Sequence, residues 1–266
     1  MRTSVALWSI ILIGLLGQSC IPNKKVIYLQ HSETSTLPMD SLIKTQYEQY
    51  VLKKGDLINV EVRSSDPLLA QIFIPSMSGG NLGNIATSGN DLNYLQGYSL
   101  NANGDIELPL VGFVHLKGLT IDDSKKVISE EISKFIKSPY VAVKLGGIPY
   151  ATLGEFNRPG RYSALQSRLT IMEAIANSGD LTIVANRKEF TLIRQTEDGI
   201  TRHVIDLTDE NLLTSPYYYI QPGDQLYAEP LKVRQWGVGV TGSQTFTTIL
   251  SIVSSVLLII ITVNQL

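Results

Sequence analysis

The last hydrophobic run of this 266-residue chain, Phe246 to Val263, reads FTTILSIVSSVLLIIITV and restricts its fold more than any other stretch. As a helix it would reach about 27 Å, close to the roughly 30 Å hydrocarbon thickness of a bilayer. It therefore predicts a single C-terminal membrane-spanning helix over 246–263. Six hydroxyl residues interrupt twelve apolar ones. A step of about 100° per residue gathers Thr247, Thr248, Ser251, Ser254, Ser255 and Thr262 into one arc of about 120°, broken by Leu258. A polar stripe of this kind suits a pore wall or a seam between helices of a ring. The plainer reading is a tail anchor in which each hydroxyl bonds back to the carbonyl one turn earlier.

The other end is built for export. Met1 and Arg2 precede an apolar run from Val5 to Leu16 that stops at Gly17-Gln18-Ser19-Cys20, so residues 1–19 are read as a signal peptide. Cys20 is the single cysteine and has no internal disulfide partner. Its setting resembles a bacterial lipoprotein lipobox, which implies lipidation of Cys20 as the new N-terminus. Residues 20–46 then form a polar, lipidated tether. Lys and Arg number 22 against 24 Asp and Glu, a balance that points to no nucleic-acid partner.

Between the two attachments the pattern is α+β. Gly55-Asp56 opens an alternating strand through Leu57, Ile58, Val60 and Val62, and a Gly-, Ser- and Asn-rich insertion follows over 75–97. Asn103-Gly104 predicts a hairpin turn, with Ile106, Leu108, Val111 and Val114 on short strands. Thr120 with Asp123 opens a helix whose buried stripe is expected to be Val127, Ile128, Ile132, Phe135 and Ile136, and Pro139 ends it. Tyr140, Val141, Val143 and Leu145 form the next strand. A second unit, 146–230, begins with a strand at 151–153 and a turn at Pro159-Gly160. Thr170 and Glu173 make a capping box on a helix that turns Met172, Ile175 and Ala176 inward and stops at Gly179. The Asp198-Gly199 turn joins two strands, and Pro222-Gly223-Asp224 leads into the last. Residues 231–245 read as a hinge.

Taken in order, Gly55-Asp56, Gly104, Pro109, Gly112, Gly118, Thr120 and Pro139 resemble the polysaccharide export domain of bacterial outer-membrane capsule and exopolysaccharide exporters, over 47–145. Gly154-Glu155, Pro159-Gly160, Glu173-Ala174-Ile175 and Gly223-Asp224 are similar to the soluble ligand-binding β-grasp domain that follows it in that family, with Phe156 where the family tends toward Val. The resemblance implies a non-enzymatic, homo-oligomeric ring in the outer membrane, with its soluble domains in the periplasm and polysaccharide as cargo. It also implies an inner-membrane polysaccharide co-polymerase, often a tyrosine autokinase, as partner.

The residues themselves offer little chemistry. His31, His115 and His203 have no metal-ligand spacing, and Asp105 and Glu107 are explained by a turn and by strand alternation. No serine sits in a nucleophile elbow. Gly237, Gly239 and Gly242 satisfy G-x-G-x-x-G, but a membrane run follows in place of an amphipathic helix and no acid comes after Glu229. Tyr217, Tyr218 and Tyr219 read as an edge strand with alternating faces. No catalytic residue, cofactor or metal is expected. The competing class is an outer-membrane lipoprotein that binds a glycan or small ligand without conducting it, and a membrane-attached hydrolase ranks third.

Overall fold

In the computed structural model the described residues are 21–31, 35, 37–38, 42–43, 49–64, 72–73, 97–196, 198–232 and 242–265. The signal peptide, Cys20, most of the 75–97 insertion, Gly237 and Gly239 lie outside them. Ten strands and three helices are described, with two separate hydrophobic cores.

The first unit is centred on β1 (Leu57–Arg63), whose side chains alternate so that Ile58, Val60 and Val62 are buried. β1 lies between β2 (Tyr98–Ser99) and β5 (Tyr140–Leu145), antiparallel to both. β3 (Asp105–Leu108) and β4 (Gly112–His115) make a separate hairpin, and helix α1 (Ile121–Ser133) packs against β5. Thr120 caps α1 by accepting from the Asp123 amide at 3.1 Å.

Three expectations change here. Phe135 is 52% exposed, because α1 stops at Ser133 and the helical period no longer applies beyond the cap. Asn103-Gly104 does not join paired strands, since β2 pairs with β1. Instead the Asn101 side chain accepts from the Asn103 and Asp105 amides and shapes a turn. The hairpin turn is at 109–111, so Val111 is in the turn and not on a strand.

The second unit is a five-stranded sheet in the order β7-β6-β10-β8-β9. Its strands are β6 (Ile148–Gly154), β7 (Gly160–Ala164), β8 (Ala185–Thr196), β9 (Gly199–Ile205) and β10 (Gln225–Pro230). The β6/β10 pair is parallel and the others are antiparallel. Helix α2 (Ile171–Asn177) opens with both bonds of the Thr170/Glu173 capping box and buries Ile171, Ala174 and Ile175 in the same core as Phe190, Leu192 and Leu226. Ala176 is exposed, one step outside the buried arc. β7 begins at Gly160, Pro159 lies just before it, and the chain bends at 155, 157 and 158. The three tyrosines 217–219 lie in a turn closed by the Tyr218 amide on the Ser215 carbonyl, with a single bridge at Tyr219 to Thr170. They are not an edge strand, because Pro216 follows a short 3-10 helix (Glu210–Thr214) and breaks the extended run.

Residues 21–31 are more than a tether. The Leu29 amide donates to the Leu207 carbonyl at 3.1 Å and the Gln30 amide to Thr208 at 2.7 Å, while Tyr28 and Leu29 pack on the second core. Helix α3 (Gly242–Gln265) begins four residues before the apolar run and takes in the end of the expected hinge. Leu250, Ile252, Val256, Leu257, Leu258 and Ile261 are all about half exposed or more. Among the described residues no helix is long and apolar enough to cross a membrane.

Candidate functional site

The two units meet through a pair of like-built turns. Each has a glycine in the left-handed region, Gly55 at φ +84° and Gly223 at φ +87°. A side chain at either would touch nothing within 4 Å, so backbone conformation alone selects glycine. In each turn the aspartate that follows accepts from the amide three residues back: Asp56 Oδ2 from Lys53 and Asp224 Oδ2 from Gln221, both at 2.8 Å. The Lys53 ammonium then donates to Gln221 Oε1 at 2.9 Å, tying one turn to the other.

Their partners differ. Asp224 holds Arg194 with two bonds, Oδ1 from Nε at 2.9 Å and Oδ2 from Nη2 at 2.7 Å, and both side chains are nearly sealed from solvent. Arg194 Nη2 also donates to the Tyr219 carbonyl at 3.1 Å. Asp56 accepts instead from the Tyr50 hydroxyl at 2.7 Å. Burial pushes the Asp56 carboxyl above the ordinary aspartate range, against the lowering effect of the Lys53 amide, the Tyr50 hydroxyl and the Lys53 charge. Burial also pushes the Tyr50 phenol far up, helped by Asp56. Arg194 was findable in the sequence: alternation along β8 sets it on the face of Phe190 and Leu192, where a cation needs a buried partner.

Beside the turns lies a cleft of about 590 Å³ between the units, lined among others by Tyr50, Asn59, Asp122, Lys144 and Gln166. A second cleft, of about 510 Å³, lies against α2 and is lined by Tyr150, Tyr162, Glu173 and Asn177 along with Leu165 and Gln166. Both are within the usual size range of ligand sites.

The remaining sequence-predicted positions are scattered. Gly104, Pro109, Gly112, Gly118 and Thr120 frame the β3–β4 hairpin and the start of α1, Pro139 precedes β5, and Gly154, Pro159 and Gly160 frame the β6–β7 turn. Thr247, Thr248, Ser251, Ser254, Ser255 and Thr262 are exposed on α3. Ser254, Ser255 and Thr262 donate to the carbonyls of Leu250, Ser251 and Leu258 at 2.6–2.8 Å. The histidines have local partners: His115 meets Asp105 at 2.7 Å, His31 meets Glu210, and His203 stacks on Tyr217 with ring centres 4.0 Å apart. Among the described residues no three His, Cys, Asp or Glu side chains are grouped to hold a metal.

Sequence reading missed the strap at 28–30. Its hold on the second unit includes the Tyr28 hydroxyl on Asp180 Oδ1 at 2.6 Å and the buried Arg187 guanidinium 5.0 Å from the Tyr28 ring centre. Neither contact leaves a local pattern.

A mixed α+β first unit that leads through paired Gly-Asp turns into a second sheet defines a modular, two-core protein followed by a separate apolar helix. Residues 44–146 match the family model described as polysaccharide biosynthesis/export protein. The domain at 44–146 is thus similar to the polysaccharide export family, a transport family and not an enzyme family. It is 25% identical over 154 residues to the EPS I polysaccharide export outer membrane protein EpsA of Ralstonia solanacearum, covering 56% of this chain and 39% of that protein. With the protein of the same name from Ralstonia nicotianae it shares 27% identity over 110 residues, covering 40% of this chain and 28% of the relative. The chain thus spans well under half the length of the curated relatives it matches.

Proposed function

We propose that this chain is a subunit of an outer-membrane translocon that exports a capsular or extracellular polysaccharide through a homo-oligomeric ring. The observation that carries this reading is α3. It follows the export domain and the second sheet, which we read as a soluble ligand-binding β-grasp domain, and it bears exposed apolar side chains alongside a hydroxyl stripe. Apolar side chains in such number seek lipid or copies of themselves. In this reading α3 spans the outer membrane, Cys20 is lipidated as a second attachment, and both sheets lie in the periplasm. The polymer arrives from an inner-membrane polysaccharide co-polymerase, which supplies the drive, while the ring offers a passive wet path. The back-bonded hydroxyls satisfy their own protons within the helix, so the stripe tolerates lipid, water or a neighbouring helix.

The names of the relatives support export and the outer membrane. The two clefts favour a second reading, a lipoprotein that binds a glycan without conducting it. Images of the detergent-extracted protein separate the two: closed rings are expected for the translocon, and monomers would overturn it. Replacing Ser251, Ser254 and Ser255 together with Leu makes α3 more apolar and leaves anchoring intact. Surface polysaccharide in cells carrying this triple variant at normal protein level is expected to fall at least about tenfold, because bulky apolar walls replace small polar ones. Normal export in those cells would leave α3 as a plain anchor.

A further inference from the structure

Two clefts that both border Leu165 and Gln166 form the candidate track, one toward the domain junction and the other toward the α2 face. Its lining has a consistent chemistry. Near one end Tyr162 is half-buried, with its ring stacked on Tyr150 at a centre distance of 5.5 Å, and near the other stands Tyr50. Between and beside them are the side-chain amides of Asn177, Gln166 and Asn59. An amide sets a donor next to an acceptor, which matches neighbouring sugar hydroxyls that do both, and a flat phenol ring suits the C–H face of a pyranose.

Charge decides the class of sugar. The lining carries two carboxylates, Asp122 and Glu173, against one ammonium, Lys144. An acidic polymer would call for an excess of cations, above all guanidinium forks.

We infer that this track is a binding groove for an uncharged oligosaccharide segment, with Tyr162 stacking on one sugar and Gln166 bonding at the midpoint. The inference rests on the export reading for its substrate class and adds where the polymer is held. It makes the second sheet a direct sugar contact and the domain junction part of the site.

The test is calorimetric titration of the full-length, detergent-extracted protein with oligosaccharides of four to eight sugars cut from the producing cell's own surface polysaccharide. Saturable binding is expected. Gln166→Ala, an exposed position outside both cores, and Tyr162→Ala are each expected to weaken it about five- to tenfold, the scale of one lost hydrogen bond or ring contact. Raising salt about tenfold is expected to change affinity less than about twofold, because screening acts on charges and the contacts have none. No saturable binding, or binding indifferent to both substitutions, overturns the groove. A steep loss with salt overturns the uncharged assignment. Surface polysaccharide in cells lacking the chain distinguishes this failure from that of the export reading: its loss alongside a failed titration removes the groove alone, and its persistence removes both.

Discussion

The Gly-Asp turn of the first unit and that of the second share a backbone and differ in what their carboxylates hold. Asp224 faces a guanidinium in a sealed pocket, whereas Asp56 faces a phenol. The same turn therefore serves one unit as an ionic lock and the other as a neutral-partner hydrogen bond. A buried charge pair is costly to assemble and costlier to break by halves, because the survivor has neither water nor a partner. A carboxyl against a phenol leaves no cation stranded when it is lost.

The comparison breaks most visibly at Asp224. Asp224→Ala is expected to destabilise the second unit by about 3–5 kcal/mol, the usual cost of orphaning one member of a buried pair, read as a drop in the urea midpoint of that unit. An unchanged midpoint would show that solvent reaches Arg194.

A smaller effect is expected at Asp56. Asp56→Ala removes the acceptor for the Tyr50 hydroxyl and the Lys53 amide, and about 1–3 kcal/mol is expected. Asp56→Asn keeps an acceptor and is expected to cost under about 1 kcal/mol at neutral pH. Titration sharpens the contrast. Burial raises the folded-state pKa of Asp56 above its unfolded value, so its favourable contribution is fully present below the ordinary value of about 4 and is lost as pH rises through the raised folded value. The stability advantage of the native protein over Asp56→Asn is accordingly expected to shrink from pH 4 upward. An advantage that grows with pH would mean that the hydrogen bonds outweigh burial.

The smallest effect is expected at the link between the turns. Lys53→Met removes the bond to Gln221 and keeps the aliphatic stem, so both unfolding midpoints are expected to stay within the roughly 0.5–1.5 kcal/mol of a single hydrogen bond. A larger loss in both units at once would show that they unfold together.

Much of this arrangement was legible in the sequence wherever a local rule operates. The Thr170/Glu173 box, the Thr120 cap, the Gly179 stop and the alternation of β1 are short-range patterns, and the structure follows them. Phe135 and Ala176 were misplaced because a helical period was carried past its cap or one step off its buried arc. The Asn103-Gly104 hairpin was misjudged since a turn specifies its own backbone and not which strand lies alongside. The clefts, the Tyr50–Asp56 contact and the strap depend on residues brought together by the whole fold, and Tyr28 meets Asp180 across 152 positions. Arg194 is the intermediate case, visible as a cation on an apolar face without revealing which acid answers it.

The seating of Leu29 and Gln30 on Leu207 and Thr208 also bears on how the chain matures. A polypeptide made from its N-terminus presents the strap long before the strand end that receives it, while the first unit can form in the meantime from contacts within 50–145. The first unit is thus a loop enclosed within the second, and the strap closes last. Closure over so long a loop costs little more than over a short one, about 0.6 kcal/mol per doubling of length. Until it closes, the apolar face under Leu29 stays open, so a chain interrupted before residue 207 carries a complete export domain beside an unfinished, adhesive neighbour.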